Sequence, residues 1–323
     1  MSVTGGNGSG LAGQVAERWR LIDPLLPEPA AAPPAGAGHQ IAVTLAGRQV
    51  AGGWCEHWAG APDSLDLTWG AARRFELTPQ IPGPDIGGPL DLLLERWRDH
   101  LAGEAGTADG DSAAVVTWPS RDIGGVMALV GRGFAPLAVI AARQTRRDSD
   151  AGSPPAATAP GISIRRAGDA DADEIVRLGL DVIRFDAQVC GVTERPETAA
   201  ALRREIGGLL ADPEPWVWLA ERSGSAIGML AAEKPATAHW IAPLTRVAPV
   251  AYLLLMGVSA GRRGSGVGAA MAAQLHREVE SAGAAVTLLH YGQVNPLSAP
   301  FWSQQGYRPL WTVWEAMPAL AVR

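Results

Sequence analysis

Runs of apolar residues in the second half of the chain alternate with polar, glycine-rich stretches. The run Ala251–Val258, AYLLLMGV, is short and apolar, which is typical of a buried strand. Residues 285–290, AVTLLH, have the same character. Between them, apolar residues at steps of four predict a helix with one buried face: Val267, Met271, Leu275 and Val279. The order strand, loop, helix, strand predicts mixed α and β structure.

The same order of elements recurs in the first half of the chain. Ala113–Arg143 resembles Ala284–Ala316, because each segment reads as a strand, a helical or turn segment, a Gly-aromatic pair and a strand that starts with proline. Upstream, Arg73–Gln80 reads as a strand, and Pro89 opens a helix with a leucine-rich face. Chance similarity in an alanine- and valine-rich chain is the alternative. We interpret the pattern as an internal repeat.

The two repeats differ in the loop before the helix. In the second repeat, Gly261–Met271 (GRRGSGVGAAM) combines two arginines with spaced glycines. Glycines allow backbone N–H groups to approach a phosphate closely, and a helix N-terminus adds the positive end of its dipole. In the first repeat the loop carries Asp85 as its only charge, which would repel a phosphate. We therefore expect an anion site in the second repeat only.

This loop has two alternative interpretations. One is an ordinary tight turn before a helix, which also uses glycine. The other is a dinucleotide fingerprint, G-x-G-x-x-A, which Gly264, Gly266 and Ala269 fit. That fingerprint requires an acidic residue near the end of the following strand, whereas the strand here ends in His290 and Tyr291. The sequence therefore disfavours a dinucleotide.

Composition and charge narrow the classes of function. The chain has 323 residues, of which 47% are hydrophobic, and its net charge is −6. An acidic chain argues against nucleic acid and anionic membranes as partners. Cys55 and Cys190 are far apart and lack metal-ligand spacing, so we expect no metal, no disulfide framework and a cytoplasmic location. No apolar run reaches the length of a membrane span.

A break in composition divides the chain. The stretch Arg143–Gly161 is first polar and then rich in proline and alanine, which is typical of an interdomain linker. We predict one domain at residues 1–150, a linker at 151–161 and a second domain at 162–323. Association of two copies into a homodimer is left open.

Two motifs carry a resemblance to a known family. Arg263–Gly268 fits the loop pattern Gln/Arg-x-x-Gly-x-Gly/Ala between a predicted strand and a predicted helix. Downstream follow an asparagine, a small residue, an aromatic pair and a Gly-aromatic pair: Asn295, Ser298, Phe301, Trp302, Gly306 and Tyr307. On these motifs, Ile162–Ala316 resembles the GNAT superfamily of acyl-CoA-dependent N-acyltransferases. The first half resembles the truncated, degenerate copy found in tandem GNAT proteins.

The resemblance implies an α+β fold with two GNAT-like mixed-sheet domains in tandem, the N-terminal one truncated and without the cofactor loop. It implies acetyl-CoA as the cofactor and an amine of a small molecule as the acceptor. The implied cofactor-binding residues are Met256, Gly257, Val258, Arg262, Arg263, Gly264, Ser265, Gly266, Val267, Gly268, Ala269, Asn295, Ser298, Phe301 and Trp302. Asn295 has a second interpretation, as the N-cap of the helix that follows it.

Acyl transfer to an amine needs a proton acceptor for the amine and a proton donor for the leaving thiolate. GNAT enzymes often have a tyrosine acid where this chain has Trp302. An indole N–H cannot deliver a proton at useful pH, so Trp302 could hydrogen-bond the sulfur, or merely pack. The substitutes for the acid are Tyr291, Ser298, Ser303 and Tyr307. His290 is the best candidate for the base, with a structural histidine as the alternative, and His239 is a weaker candidate.

The acceptor is expected against the segment Leu180–Thr198, which forms one wall of the pocket in the family. The candidate substrate-binding residues are Asp181, Arg184, Asp186, Gln188, Tyr252 and His290. For the charged residues of this segment, a solvated helix face is the alternative. The expected function is N-acetylation of a small-molecule amine. The alternatives are a non-catalytic acyl-CoA sensor or scaffold, and an acyltransferase that uses a longer acyl or carrier-protein thioester.

Overall fold

The computed structural model describes residues 11–30, 38–145 and 161–323. Within them the helices are α1 Leu11–Ile22, α2 Gly87–Leu101, α3 Ile123–Gly131, α4 Ala172–Val189, α5 Thr198–Leu210, α6 Val267–Ser281 and α7 Ser298–Gln304. The strands are β1 Gln40–Leu45, β2 Arg48–Ala59, β3 Arg73–Gln80, β4 Ser112–Pro119, β5 Ala135–Gln144, β6 Ser163–Arg166, β7 Val217–Arg222, β8 Ser225–Glu233, β9 Val250–Val258, β10 Val286–Gly292 and β11 Arg308–Ala316. The predicted mixed α and β structure is confirmed, and the predicted strand at Ala251–Val258 coincides with β9 to within one residue.

The chain forms two compact units. The first consists of residues 1–59, 71–136 and 310–323, and its strands lie in the order β1, β2, β3, β4, β11. Among the described strands of this unit, only β3 and β4 run parallel to each other. The apolar face of α2 is fully buried in this unit, through residues spaced as the sequence predicts: Leu90, Leu93, Leu94, Trp97 and Leu101.

The second unit consists of residues 60–70 and 137–309. Its strands lie in the order β6, β7, β8, β9, β10, β5, with β9 and β10 as the parallel pair. Alternate strand residues face opposite sides of the sheet, which produces two apolar clusters. One cluster contains the buried faces of α4 and α5, and the other contains the buried face of α6.

The internal repeat is visible in the order of elements. The order β1, β2, β3, α2, β4, α3 in the first half matches β7, β8, β9, α6, β10, α7 in the second. Among the described residues, only α1 precedes β1, whereas β6, α4 and α5 precede β7. The first copy is therefore the shorter one, as the resemblance implies.

The last strand of each repeat belongs to the other unit. The strand β5 follows the first repeat in sequence but pairs antiparallel with β10, and β11 follows the second repeat but pairs antiparallel with β4. The predicted domains, residues 1–150 and 162–323, would instead place β5 in the first domain and β11 in the second. These domain boundaries stay a prediction. Within the predicted linker 151–161, residues 151–160 lie outside the described part of the chain.

Candidate functional site

The turn between β9 and α6 is open to solvent. Residues 261–266 are all exposed, and Gly264 and Gly266 have φ of 75° and 84°, a backbone conformation that only glycine adopts readily. Gly266 caps α6, which begins at Val267. The first-turn amides of a helix have no acceptor within the helix. The backbone from Gly264 to Ala269 therefore presents the donors that a phosphate requires.

Hydrogen bonds within the turn, from side-chain and backbone groups, stabilise its conformation. The Ser265 hydroxyl donates to the Arg262 carbonyl at 2.6 Å, and the Arg262 N–H donates to the Ser259 carbonyl at 2.8 Å. The Arg263 guanidinium lies 4.5 Å above the ring of Phe185, and its Nε donates to the Val258 carbonyl at 3.4 Å. Arg263 is thus held beside the turn by an aromatic ring and a carbonyl, and it remains exposed.

The strands β9 and β10 separate next to this turn. Their parallel pairing covers only Val250–Leu253 and Val286–Leu289, while β10 continues along β5 to Gly292. On its other side β9 pairs with β8 as far as Val258, with a register shift near Leu254. Within the described part of this unit, the far half of β9 therefore has one edge without a neighbouring strand.

The free edge of β9 carries backbone groups of two predicted cofactor residues. The Ser259 N–H donates to the Ile227 carbonyl on β8, and the direction of N–H groups alternates along an antiparallel strand. Gly257 therefore faces β8, whereas Met256 and Val258 face the edge that β10 has left. A side chain at Gly257 would bring a Cβ to 2.4 Å from Val182 Cγ2, so α4 packs directly on the strand here.

Asn295 joins three parts of the site. Its Oδ1 accepts hydrogen bonds from the N–H groups of Leu297 at 2.9 Å and Ser298 at 3.2 Å, which satisfies the start of α7. Its Nδ2 donates to Asp186 Oδ1 on α4 at 2.7 Å. The N-cap position of α7 is Leu297, so Asn295 supports the start of the helix from two residues before the cap. The predicted contact of Asn295 with the cofactor stays a prediction. Burial raises the pKa of Asp186 to about 6, with smaller opposing effects from Asn295 and Arg263.

An aromatic recess lies where β9 and β10 begin to separate. Tyr252 Oη and His290 Nδ1 are 3.0 Å apart in a hydrogen bond. The ring of Trp240 packs edge-on against Tyr252, with centroids 4.8 Å apart, and lies within 12° of parallel to His290. The Trp240 indole N–H donates to both oxygens of Glu233, at 3.1 and 3.3 Å.

The His290 side chain is exposed at the end of β10 and packs beside the rings of Trp240 and Tyr252. Desolvation lowers the pKa of His290 to about 4, so the imidazole is neutral at pH 7. Burial keeps the pKa of Tyr252 well above its usual range and also raises the pKa of Tyr291.

Tyr291 lies on the other face of β10 from His290, because successive side chains of a strand point to opposite sides. It is half-buried and packs against the apolar cluster beneath α6, together with Met256, Val258 and Phe301. Trp302 belongs to that cluster itself, is only 7% exposed, and stacks edge-on against Tyr307. The packing interpretation of Trp302 fits this position, because helix α7 turns its ring into the core, and a hydrogen bond from its indole to the sulfur stays a prediction.

Predicted acceptor residues on α4 lie mainly on its solvated face. Asp181 is exposed and pairs with Arg177 at 3.4 Å. Arg184 is exposed and pairs with Glu194 at 2.9 Å, and the exposed Gln188 side chain donates to the Arg184 carbonyl. The solvated-face interpretation fits these three residues. Of the α4 candidates, only Asp186 is directed into the site.

Sequence reasoning missed three residues of the site: Phe185, Glu233 and Trp240. Glu233 is the last residue of β8 and pairs with Tyr252 on β9. Its position beside Tyr252 could have been inferred by pairing the two predicted strands. Trp240 lies in an irregular segment, and periodicity gives no signal there. For Phe185 the sequence offers no signal except that it directly precedes Asp186 on α4.

Metal clusters and membrane-spanning helices are both absent from the described residues. None of their His, Cys, Asp and Glu side chains form a group of three that could hold a metal ion. None of the helices in residues 11–30, 38–145 and 161–323 is both long and apolar enough to cross a membrane.

Residues 182–307 match the family model for the acetyltransferase (GNAT) family. A search of curated proteins finds no match. Among solved structures, a GCN5-related N-acetyltransferase from Sphaerobacter thermophilus is 14% identical, with 84% of this chain and 78% of that chain aligned and a TM-score of 0.52. One from Kribbella flavida is 14% identical over 96% and 95% of the chains, with a TM-score of 0.45. A tandem GNAT protein from the clavulanic acid biosynthesis pathway is 16% identical over 97% and 96%, with a TM-score of 0.40.

Proposed function

We propose that this chain transfers an acetyl group from acetyl-CoA to an amine of a small molecule, because residues 182–307 match the model of the GNAT acetyltransferase family. The observation that carries the proposal is the exposed turn from Gly261 to Gly266, which leads into α6 beside the free edge of β9. A diphosphate and an extended amide-bearing arm need these two features together.

The residues fit the cofactor as follows. The amides from Gly264 to Ala269 and the guanidinium of Arg263 would bind the diphosphate. The backbone of Met256 and Val258 would pair with the pantetheine arm in the manner of an added strand. When bound, acetyl-CoA supplies an activated acetyl group. A backbone N–H on β9 near Val258 would be the donor to the oxygen on which negative charge develops.

The two faces of β10 offer different proton chemistry. On one face, neutral His290 can accept a proton from the amine when its Nδ1–H donates to Tyr252, because Nε2 then carries the lone pair. On the other face, Tyr291 keeps its proton, since its pKa is raised by burial, and it can donate to a leaving thiolate. We assign the base to His290 and the acid to Tyr291, with Ser298 as the remaining candidate for the acid.

The test begins with cofactor binding by titration calorimetry. Arg263→Ala should raise the CoA dissociation constant about tenfold or more, because a charge-assisted hydrogen bond contributes roughly 1.5–3 kcal/mol. The matched control is Arg203→Ala, which removes an exposed arginine paired with Asp173 on the outside of α5. Equal affinity in all three proteins would rule out the turn as the diphosphate site.

Turnover is measured separately, as thiol release from acetyl-CoA with a panel of amines. A non-catalytic acyl-CoA sensor is the second candidate, and the burial of Trp302 favours it, because the usual position of the acid holds a core residue. CoA binding that depends on Arg263 without thiol release for any amine would establish the sensor in place of the enzyme.

A further inference from the structure

One segment of the first repeat lies in the second unit. Residues 60–70 connect β2 to β3 along the chain, and both strands belong to the first unit, yet the segment itself packs with residues 137–309. It contains a short 3-10 helix, Leu65–Trp69. Leu65 and Trp69 pack against the apolar cluster that contains the buried faces of α4 and α5. The unit that contains the candidate site therefore includes residues from the first repeat.

The carbonyl groups at the end of this short helix accept hydrogen bonds from the connection between α4 and α5. The last carbonyls of a helix have no donor within the helix. Here the Leu67 carbonyl accepts from Arg195 Nε at 2.8 Å, and the Gly70 carbonyl accepts from Arg195 Nη2 at 3.4 Å. The Thr68 carbonyl accepts from the Thr193 N–H at 2.9 Å. One guanidinium and one amide of the connection thus bind three carbonyls of the segment.

A buried pair of hydroxyls fixes the far end of the connection. Thr68 Oγ1 and Thr198 Oγ1 are 3.1 Å apart, and both side chains are almost fully buried. Thr198 is the first residue of α5, and its hydroxyl also accepts from the Arg195 N–H at 2.9 Å. A buried hydroxyl is costly to leave without a partner, so this pair favours a single position of the connection.

The near end of the connection lies against the candidate site. Cys190 directly follows α4 and packs on Gly292 at the end of β10, because a Cβ at Gly292 would come within 2.6 Å of Cys190 Sγ. The proposed base His290 and the proposed acid Tyr291 directly precede Gly292. The connection therefore starts beside the reacting groups and ends on the segment from the first repeat.

We propose that residues 60–70 are a positioning element for the acceptor, which holds the connection 190–198 in place as one wall of the acceptor pocket. This inference rests on the proposed acetyl transfer and gives the first repeat a part in it. Arg195 and Thr68 are positioning residues, which act through the connection. The first repeat thereby acts on the amine side of the reaction, while the cofactor turn belongs to the second repeat.

Loss of these hydrogen bonds should weaken the binding of the amine and leave the cofactor in place. A connection that occupies its binding position for only a fraction of the time lowers the apparent affinity by that fraction. Once the amine is bound the connection is in place, so the chemical step should keep its rate. The turn at Gly261–Gly266 has hydrogen bonds of its own, so the affinity for CoA should not change.

The experiment uses the full chain and begins with Arg195→Met, which removes the guanidinium and keeps a long apolar side chain. Amide hydrogen exchange reports on the connection without any substrate. The protected amides of residues 190–198, including Thr193, should exchange about tenfold faster in this variant than in the wild type, because the connection opens more often. Arg203→Met is the matched control and should exchange as the wild type does, since Arg203 pairs with Asp173 on α4.

Turnover separates a positioning role from a merely structural one. With the amine that gives the fastest thiol release, Arg195→Met should raise the KM for the amine about fivefold or more and change kcat by less than about twofold. Calorimetry should give the same CoA affinity as for the wild type. Arg195→Lys keeps a cation near the carbonyls and should restore part of the amine affinity.

Either of two results would overturn the inference. One is equal exchange of residues 190–198 in Arg195→Met and Arg203→Met, and the other is faster exchange with an unchanged KM for the amine. If circular dichroism shows that Arg195→Met does not fold, Thr68→Val repeats both measurements with the loss of a single hydroxyl. If the wild type releases no thiol with any amine, acetyl transfer fails, and the exchange measurement alone decides whether the segment holds the connection.

Discussion

The two repeats share one framework but differ in what lies between their parallel strands. In the first unit β3 and β4 pair only over Arg73–Leu77 and Ser112–Val116, so they separate before β3 ends, as β9 and β10 do in the second. The turn after β3 carries Asp85 and the turn after β9 carries Arg263. Separation of the strands is therefore a property of the fold, and it does not by itself make a ligand site.

One aromatic position accounts for the difference. Trp118 pairs with Thr312 on β11, three residues after Pro309. Tyr291 pairs with Val139 on β5, three residues after Pro136. Trp118 and Tyr291 are therefore equivalent positions in the two repeats. Trp118 is 1% exposed and its indole donates to the Asp122 carbonyl at 3.1 Å. Tyr291 is only half-buried. The first repeat uses this position to fill its core, and the second leaves it beside the free edge of β9.

The largest effect on stability is expected from removing the buried Trp118 side chain from the core of the first repeat. Trp118→Ala should lower the free energy of unfolding by about 3–5 kcal/mol, because it removes a fully buried indole and its hydrogen bond. Trp240→Ala is the matched control, and its exposed ring should contribute less than about 1 kcal/mol. Chemical denaturation measures both. CoA affinity should survive Trp118→Ala, and a loss in the folded variant would contradict the assignment of the site to the second repeat.

A smaller effect is expected from Asp186 as pH changes. Its pKa is about 6 in the folded chain and about 3.8 when exposed, so folding favours the protonated form. The stability that this provides is fully present below pH 4 and is lost as the pH rises through 6. Asp186→Asn should therefore unfold with a free energy higher than the wild type by roughly 1–3 kcal/mol at pH 7, and equal to it near pH 4. Parallel denaturation curves at pH 4, 5, 6 and 7 check this, and a pH-independent difference would exclude titration of Asp186 as its cause.

The smallest effect is expected from giving the first repeat a cationic loop. Asp85→Arg should leave CoA binding at one molecule per chain with unchanged affinity, because Trp118 still fills the space beside the loop. Calorimetric stoichiometry measures this. A second binding event would show that loop charge alone separates the two repeats.

Local features of this chain were predictable from the sequence, because they depend on neighbouring residues. The apolar run at β9, the stripe of α6 and the glycine turn between them all match the structure. The family patterns at Arg263–Gly268 and Asn295 also lie beside the open edge of β9. Periodicity and turn chemistry fix such elements without knowledge of the rest of the fold.

Features that depend on distant contacts were not predictable. No pattern in β5 or β11 reveals that each pairs with the other repeat, since both are apolar strands that start with proline. The recess combines Glu233, Trp240, Tyr252 and His290 from separate segments. The orientation of Trp302 depends on how α7 packs, and a family pattern read along the chain contains no such information.

The exchange of β5 and β11 affects how the protein is made. During synthesis the edge of β4 stays without its partner until residues 308–316 have left the ribosome. Completion of the first sheet thus waits for the synthesis of β11, and a stop codon before β11 would leave the earlier-made sheet incomplete. The two halves of this gene product are expected to mature together.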